Sequence, residues 1–345
     1  MIENLLACAI RAPSADNSQP WCFEWNDREL AIAHRQVPGP DPFGAGGHAV
    51  LLAMGHVIAN VTEFLDAAGV PHELAFPQAF ERGRPYATVK LAAAPGHFAT
   101  PRDLPSASRH TNRFPYARTP VPDDAKAMIA SAALDGARFV AIDSPGSRSG
   151  LAAVVECCSA ARFCTRELHE WLAASLRFSP EAVAEGDGLD VQTLHLPPGG
   201  AAFLKATRNW RVMEKLNRLG VHRVLAASDS APLRKAPLLA CLVGTGDPAS
   251  VIAAGRLLGK VWTGLNARGL AVHPYYAATD QQVRLDAGRV PADWRDAVAN
   301  RLSELPALLG LAKGERLHLI LRVGWPKVSA PPRSRRLPLE RVFGN

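Results

Sequence analysis

A polar loop near the start of the chain carries the residues best suited to binding chemistry. Residues 11–21, Arg-Ala-Pro-Ser-Ala-Asp-Asn-Ser-Gln-Pro-Trp, hold two prolines, two serines, an asparagine and a glutamine. Amide and hydroxyl side chains can both donate and accept hydrogen bonds, which suits the edge of a planar heteroaromatic ring. The prolines restrict the backbone that presents them. We therefore expect the loop to hold one edge or face of such a ring, with backbone capping by Asn17 and Gln19 as the alternative.

The charge of the chain is basic, and this narrows the classes of ligand. Its 345 residues have a formal net charge of +7 and a sequence pI of about 9.3. A basic balance fits nucleic acid, an acidic membrane surface or a phosphorylated small molecule. One dense cluster lies near the C-terminus, at Arg333, Arg335 and Arg336. Aromatic residues make up only 7% of the chain and do not alternate with the basic ones, which argues against nucleic acid.

The cysteines and the apolar segments indicate a reduced, cytoplasmic protein. The six cysteines form no Cys-x-x-Cys pair and mostly lie in apolar runs, where a buried thiol is the ordinary state. We expect no disulfide framework and no metal site. The first residues lack the basic region of a signal peptide. The longest apolar run, 49–69, contains His56, Asn60, Glu63 and Asp66, and these polar groups argue against a membrane span.

Hydrophobic periodicity and turn residues divide the chain into helices and strands. We predict two helices between residues 147 and 175, and others over 2–11, 48–68, 123–134, 250–268 and 293–304. We predict strands over 21–26, 28–34, 86–92, 137–142, 237–243 and 316–323. Residues 180–232 have an irregular, polar pattern, so we expect a lid or an arm there. Residues 327–345 are expected to form an extended basic tail.

The two longest apolar helices resemble each other in sequence. Residues 51–70 and 251–270 align without a gap and are identical at six of twenty positions. Gly55 and Gly255 are among the identities, and glycine inside a helix costs about 1 kcal/mol relative to alanine. Close approach of another backbone would justify that cost. We favour two related half-molecules that pack through these helices, and two unrelated core helices are the alternative.

The polar loop resembles that of the nitroreductase family of flavin enzymes. Residues 12–21 are similar to a family pattern of the form A-P-S-x-x-N-x-Q-P-W. Four later segments are similar to other motifs of the family, and these are 109–113 (Arg-His-Thr-Asn-Arg), 274–277, 321–326 and 334–338. The whole chain resembles a fused, double-length nitroreductase of the kind called the Acg type.

This resemblance implies an α+β fold built from two nitroreductase-like halves. The halves would be 1–105 and 106–345, with an insertion at 176–235 and a C-terminal arm. Antiparallel-type sheets would be flanked by helices, and the two long helices would cross at a pseudo-twofold centre. Fusion would supply within one chain the interface of a homodimer, so a monomer is expected. The first half has the loop and the second has the arginine motif, which implies one composite flavin site per chain.

The resemblance also implies that the cofactor is FMN and indicates which residues hold it. Arg109 and Thr111 would bind the phosphate, and Arg336 with Arg335 would close over it from the tail. Arg113 would stabilise negative charge on the reduced ring. The ring would contact residues of the loop and of a later turn, and these are Pro13, Ser14, Asn17, Gln19, Tyr275, Tyr276 and Ala277. The alternative is that the arginines are exposed cations of a loop and of a disordered tail.

Two functions follow from this resemblance. An FMN-dependent oxidoreductase would take hydride from NAD(P)H and reduce a nitroaromatic or quinone acceptor, and no catalytic side chain is assigned because the flavin carries the chemistry. A storage protein would instead hold FMN with little turnover, because residues 176–235 could cover the ring. The expected partner is a small-molecule electron acceptor, without nucleic acid or membrane.

Overall fold

The structure is a computed structural model that describes residues 2–35, 42–43, 47–80, 84–92, 100 and 103–344. Its helices are α1 (Ile2–Ala9), α2 (His48–Ala67), α3 (Asp123–Ser131), α4 (Pro145–Phe163), α5 (Arg166–Ser175), α6 (Pro180–Ala184), α7 (Gly200–Ala206), α8 (Trp210–Arg218), α9 (Val221–Arg234), α10 (Pro248–Ala267), α11 (Ala277–Asp286), α12 (Ala292–Leu302) and α13 (Leu305–Leu309). Its strands are β1 (Trp21–Asn26), β2 (Glu29–His34), β3 (His72–Ala75), β4 (Ala87–Leu91), β5 (Ala133–Leu134), β6 (Ala137–Ile142), β7 (Leu176–Arg177), β8 (Leu189–Asp190), β9 (Leu238–Thr245), β10 (Ala271–Tyr275), β11 (Glu315–Gly324) and β12 (Phe343–Gly344). Short 3₁₀ turns lie at 15–17, 105–108, 191–194 and 339–341.

Two five-stranded sheets organise the chain. The strand order is β12-β1-β2-β4-β3 in the first sheet and β10-β11-β9-β6-β5 in the second. Neighbouring strands are antiparallel except that β12 pairs parallel to β1, with Phe343 opposite Phe23. The last strand therefore returns to the sheet that is otherwise built from N-terminal residues. Helices pack against both sheets, and the predicted α+β fold with largely antiparallel sheets is confirmed.

The long helices α2 and α10 cross at a pair of glycines. A Cβ atom on Gly55 would lie 2.2 Å from the carbonyl oxygen of Ile252 and 2.8 Å from the Cα of Gly255. A Cβ atom on Gly255 would lie 2.2 Å from the carbonyl oxygen of Leu52. No real Cβ fits at these distances, so each glycine is required by the backbone of the other helix. This reciprocal contact explains both glycines, while the division into fused halves stays a prediction.

Helix α2 has the length and composition of a membrane span but is a core helix here. It contains 20 residues, and 83% of its most apolar window is buried inside the fold. The amide of Asn60, inside this helix, donates to the carbonyl oxygen of Cys8 at 3.1 Å. That bond satisfies a buried polar group and fixes α2 against the end of α1. Of the polar residues noted in the sequence, His56 and Asn60 are buried in the packing of α2, whereas Asp66 is exposed.

The segment predicted to be irregular is largely helical. Residues 180–232 contain α6, α7, α8 and most of α9. Short polar side chains begin two of these helices, since Ser179 accepts from the backbone N–H of Ala182 at 3.3 Å and Asn209 from that of Arg211 at 2.9 Å. Helices α6 and α7 bury no residue and α8 buries only Met213, so the apolar positions of this segment do not form a long periodic run. Helix α9 packs along α4 and contributes Leu233 to the core, while the lid or arm stays a prediction.

We predict that Gly55→Ala will destabilise the fold by at least about 3 kcal/mol, because its Cβ has no space against the backbone of α10. The matched control is Gly146→Ala in the first turn of α4, where an added Cβ meets nothing within 4 Å. That substitution should be neutral or should stabilise by up to about 1 kcal/mol. Equilibrium urea denaturation measures both. Equal stability of the two variants would show that the helices do not cross at these glycines.

Candidate functional site

The loop between α1 and β1 has a strained backbone held by its own side chains. Asp16, Asn17 and Gln19 have φ angles of 48°, 57° and 51°, in the left-handed region that asparagine and aspartate tolerate better than most residues. The backbone N–H of Gln19 donates to the hydroxyl of Ser14 at 2.9 Å. The loop therefore has one defined shape, which points two amide side chains into the protein.

Asn17 is buried, and its amide group joins two distant segments of the chain. Its Nδ2 donates to the carbonyl oxygens of Gly188 at 2.9 Å and Arg335 at 3.1 Å. Its Oδ1 accepts from Nη1 of Arg336 at 2.9 Å. A single side chain thus links the loop to the 186–188 turn of the insertion and to the C-terminal arm.

Gln19 is fully buried and also links the loop to the 186–188 turn and to the C-terminal arm. Its Nε2 donates to the carbonyl oxygen of Gly186 at 2.9 Å, and its Oε1 accepts from the backbone N–H of Leu337 at 2.9 Å. A Cβ on Gly186 would lie 2.2 Å from the carbonyl oxygen of Arg336, so the turn and the arm are in close backbone contact. The polar atoms of Asn17 and Gln19 are therefore used by the protein, and their predicted contact with a ring stays a prediction.

Arg336 uses every N–H of its guanidinium group on protein acceptors. Nε and Nη2 donate to the carbonyl oxygens of residues 10–12 at 2.8, 3.2 and 3.1 Å. Nη1 donates to Asn17 Oδ1 and to the carbonyl oxygen of Arg335, at 2.9 and 3.1 Å. Helix α1 ends at Ala9, so this cation satisfies the carbonyls of the three residues that follow the helix and lies at the negative end of the helix dipole. Arg336 supplies positive charge to the region but has no N–H left for a ligand.

Arg109 and Arg11 lie beside Arg336 and keep free donors. Nε of Arg109 donates to the carbonyl oxygen of Arg11 at 2.9 Å, and its guanidinium lies 4.9 Å from the ring centroid of Trp262. Nη2 of Arg11 donates to the carbonyl oxygen of Ala107 at 2.9 Å. Within the described residues, Nη1 of Arg109 and Nε of Arg11 are buried and have no hydrogen-bond partner. These two atoms are donors without an acceptor in the described residues.

The buried arginine cluster consists of Arg109, which is 5% exposed, and the half-buried Arg11 and Arg336, and it contains no acidic residue. None of the three forms an ion pair in the described part of the chain. Desolvation, followed by the charges of Arg336, Arg11 and the exposed Arg333, holds the pKa of Arg109 well below its usual range. Desolvation and Arg11 lower the pKa of Arg336 to about 10. Unpaired buried cations cost several kcal/mol each, and an anion would relieve this cost.

Arg113 lies in a different polar group, close to acidic side chains. Desolvation lowers its pKa, and Asp16, Tyr275 and Asp229 act in the opposite direction through their charges. Desolvation raises the pKa of Asp229, although this carboxylate accepts from the hydroxyl of Ser159 at 2.6 Å. The positive charge of Arg113 therefore has acidic residues nearby, Asp16 of the loop and Asp229 of α9, whereas the buried arginine cluster has none among the described residues.

Tyr276 belongs to a buried chain of hydrogen bonds with two histidines. Its hydroxyl lies 3.0 Å from Nδ1 of His48, and Nε2 of His48 lies 2.9 Å from Nδ1 of His318. The imidazole rings stack with centroids 5.1 Å apart. Nε2 of His318 is buried without a hydrogen-bond partner among the described residues. Burial raises the pKa of Tyr276 well above its ordinary value, so the hydroxyl stays protonated.

A small recess of about 10 Å³, with room for about one water molecule, lies between the loop and the first turn of α2. The ring of Phe43 in this recess contacts Trp171 edge-on at 5.6 Å between centroids and Tyr276 at 6.4 Å. The recess connects the loop to the Tyr276 end of the site. It is lined by Ser14, Ala15, Ser18, Pro20, His34, Phe43, Ala49, Val50 and Trp171.

The residues predicted from the sequence therefore fall into separate groups. The structure brings Asn17, Gln19, Arg109 and Arg336 together, and Ser14 lies at the recess with Pro13 beside it. Tyr275 and Ala277 flank Tyr276 at the end of β10 and the start of α11. Thr111 is partly exposed, and Arg335 contributes its carbonyl while its side chain is exposed. These placements leave the ligand contacts of all these residues as predictions.

Sequence reasoning missed Arg11, His48 and His318. Arg11 is the first residue of the polar loop, so its position next to the motif was the available signal. His48 and His318 meet across 270 residues of sequence, and no spacing along the chain reveals that contact.

Comparison with known proteins gives one curated relative. No protein-family model matches the chain. An uncharacterised protein of Mycobacterium tuberculosis (strain CDC 1551 / Oshkosh) is 26% identical over 283 residues, which covers 79% of this chain and 38% of the relative. The chain thus spans well under half the length of the curated protein it matches.

Solved structures of proteins with FMN in their names are similar to part of the chain, at low TM-scores. Iodotyrosine deiodinase bound to FMN and 3-iodo-L-tyrosine is 17% identical with a TM-score of 0.36, covering 68% of this chain and 95% of that one. A nitroreductase with bound FMN from Bacteroides fragilis NCTC 9343 is 11% identical with a TM-score of 0.35, covering 68% and 92%. An FMN- and NADPH-dependent nitroreductase mutant from sphigopyxis sp. strain HMH is 20% identical with a TM-score of 0.37, covering 70% and 96%.

These alignments cover about 70% of the chain at 20% identity or less. Because all these TM-scores lie below 0.5, what this chain binds has to follow from its own residues.

The buried histidine pair predicts how stability depends on pH. Desolvation lowers the pKa of His48 to about 3 and that of His318 to about 4, against about 6.5 in an unfolded chain. Below pH 6.5 the unfolded state therefore binds more protons, so the free energy of unfolding should fall as the pH decreases from about 6.5 towards 4. Each histidine contributes at most about 1.4 kcal/mol per pH unit to this fall.

The test is the double variant His48→Gln/His318→Gln, whose free energy of unfolding should fall less steeply over this range than that of the wild type. Urea denaturation at a series of pH values measures the slopes, and a difference in absolute stability does not affect the comparison. Identical slopes would contradict the neutral, hydrogen-bonded pair.

Proposed function

We propose that the chain binds FMN and acts as a nitroreductase-like oxidoreductase at one composite site. The observation that carries the proposal is the buried arginine cluster, in which Arg109 and Arg11 keep unpartnered N–H donors and no carboxylate balances the charge. A phosphate dianion fits this donor set, because guanidinium groups bind phosphate oxygens with short, charge-assisted hydrogen bonds. Arg336 adds charge from a fixed position, and Arg333 adds charge at the exposed rim.

FMN is favoured over other phosphorylated molecules by the motifs that surround the cluster. The loop at 12–21, the 109–113 motif and the 274–277 turn resemble the nitroreductase family, and three of the solved structures described above are of proteins named as binding or depending on FMN. The recess beside Ser14 and Phe43 lies on the side of the loop that leads to Tyr276. We propose this recess as the entrance to the ring end of the site.

Bound FMN would supply two-electron chemistry between NAD(P)H and a nitroaromatic or quinone acceptor. The chain's own residues bind and tune it in this proposal. Arg109 and Arg11 hold the phosphate, and Arg336 fixes the loop and the arm relative to it. Arg113 stabilises negative charge at the ring end. The raised pKa of Tyr276 keeps its hydroxyl protonated, so that it can donate a hydrogen bond.

The proposal extends to the organisation of the protein. The halves would be 1–105 and 106–345, joined as an internal pseudo-dimer through the Gly55–Gly255 crossing, and the chain would be a monomer. All six cysteines are free thiols, which fits a reducing cytoplasm. The partner would be a small-molecule acceptor.

We predict that Arg109→Met will weaken FMN binding about 10- to 100-fold, because it removes a charge-assisted contact to the phosphate. Arg336→Met should act first on stability, lowering the free energy of unfolding of the flavin-free protein by about 3 kcal/mol or more, because five hydrogen bonds and the cap of α1 are lost. Titration of flavin fluorescence with flavin-free protein measures the affinity, and urea denaturation measures the stability.

The matched control is Arg118→Met, which removes an exposed arginine from the same half of the chain and should leave both quantities within error. Unchanged FMN affinity in Arg109→Met would place the phosphate elsewhere and remove the main support for the proposal.

A storage function is the second candidate, and one observation favours it. Asn17 and Gln19 hold the 186–188 turn and the 335–337 arm against the loop through buried hydrogen bonds. These segments cover the loop and restrict the approach of a nicotinamide. A flavin held under this cover would exchange electrons slowly.

The two functions separate in one anaerobic experiment. We predict that the FMN-loaded protein will lose its visible flavin absorbance rapidly when mixed with NADPH or NADH, and regain it when a quinone is added. Chemical reduction with dithionite is the control that the bound flavin can be reduced at all. Retained FMN that dithionite bleaches but NAD(P)H does not would establish storage. A colourless protein that cannot be reconstituted with FMN would exclude both functions.

A further inference from the structure

The corner formed by α8 and α9 carries most of the net charge of the chain. Residues 200–224 include six Lys or Arg residues and one acidic residue, a net charge of +5 against +7 for all 345 residues. All six basic side chains are exposed, and they are Lys205, Arg208, Arg211, Lys215, Arg218 and Arg223.

The same corner carries most of the exposed large apolar side chains. Five such side chains occur in the described part of the chain, and three of them are Leu219, Val224 and Val212, with exposed fractions of 82%, 70% and 42%. Gly220, with a φ of 88°, makes the turn between the helices, and Leu219 precedes it at the tip. Exposed apolar residues are ordinary when scattered, but here they are concentrated among cations.

The corner is held firmly, so its apolar tip does not result from a loose segment. Met213 is 2% exposed and faces the protein from the opposite side of α8. The amide of Asn217 donates to the carbonyl oxygen of Phe163 at 2.9 Å. The ring of His222 packs edge-on against Trp294 at 5.5 Å between centroids. The structure thus presents a fixed cationic surface with a protruding aliphatic tip.

We propose that this α8–α9 corner, residues 205–224, docks on a membrane that contains anionic phospholipid. Cations around the tip would attract the anionic headgroups, and Leu219 with Val224 and Val212 would enter the boundary between headgroups and acyl chains. An anionic polymer such as nucleic acid would leave the aliphatic tip without an apolar partner. Docking on a surface needs no spanning helix, so this proposal revises the expectation of no membrane partner. It does not depend on FMN binding.

The experiment is sedimentation of the purified full-length chain with vesicles. Vesicles of phosphatidylcholine mixed with phosphatidylglycerol should bind the chain at least about tenfold more tightly than vesicles of phosphatidylcholine alone, and added salt should weaken the binding. Leu219→Ser/Val224→Ser and Arg211→Glu/Arg218→Glu should each weaken binding to the mixed vesicles about tenfold or more.

Two control variants match these changes at other places on the surface. Phe76→Ser/Val328→Ser removes the remaining exposed large apolar side chains of the described chain, and Arg118→Glu/Arg295→Glu reverses two exposed arginines elsewhere. Both should retain wild-type binding. Circular dichroism and urea denaturation check that every variant is folded.

Three outcomes would overturn the proposal. The first is no binding to the mixed vesicles, and the second is an equal loss of binding in the control variants. The third is that the corner variants change only the binding of DNA or the self-association of the chain, which would assign the surface to nucleic acid or to a second copy.

Discussion

The five hydrogen bonds of Arg336 are the interaction on which the rest of the site depends. They place one guanidinium at the end of α1, against the loop that follows α1 and beside its own C-terminal arm, so two segments more than 300 residues apart meet at one cation. Because every N–H is used, the charge is fixed and cannot turn away from its neighbours. Arg11 and Arg109 lie next to this fixed charge, and each keeps an N–H donor without an acceptor in the described part of the chain. Unpaired buried donors are costly, and a bound anion would accept from them. Arg336 thus has two roles: it binds the carbonyl groups at the end of α1, and it contributes positive charge to the cluster.

The glycine crossing of α2 and α10 determines where this cluster can form. Close contact at Gly55 and Gly255 brings α10 against α2, and α10 carries Trp262, whose ring supports the guanidinium of Arg109 and whose indole N–H donates to the carbonyl oxygen of His110 at 3.1 Å. The Asn60 bond holds the end of α1 on the other helix. The arginine motif of one part of the chain therefore reaches the loop of the other part through helix packing. A bulkier residue at the crossing would separate them.

The sequence predicted features that depend on neighbouring residues, such as strands, and features marked by a residue that destabilises its own element, such as a glycine inside a helix. Strands over 21–26 and 137–142 were predicted with the bounds observed, because alternating apolar residues and turn residues define them. The mid-helix glycines predicted a backbone contact because nothing else offsets their cost. The helices of 180–232 were missed because α6 and α7 bury no residue and α8 buries only Met213, so no apolar period marks them. The partners of Asn17 and Gln19, the saturation of Arg336 and the His48–His318 contact depend on residues brought together by the fold, so no pattern along the chain reveals them.

The hydrogen bonds of Asn17 and Gln19 determine whether the loop is open to a ligand or covered by the 186–188 turn and the C-terminal arm. Each amide satisfies backbone groups of both the 186–188 turn and the C-terminal arm, so opening the site leaves several buried donors and acceptors unpaired at about 1 kcal/mol or more each. The contacts share two side chains, so the turn and the arm have to move together. Gly186 and Gly188 have φ angles of 84° and 65°, which only glycine adopts easily, and they permit the turn to follow the loop so closely. The cover formed by the 186–188 turn and the C-terminal arm is therefore cooperative. Under the proposed function, a nicotinamide would reach the flavin either through the recess at Phe43 or by release of this whole cover.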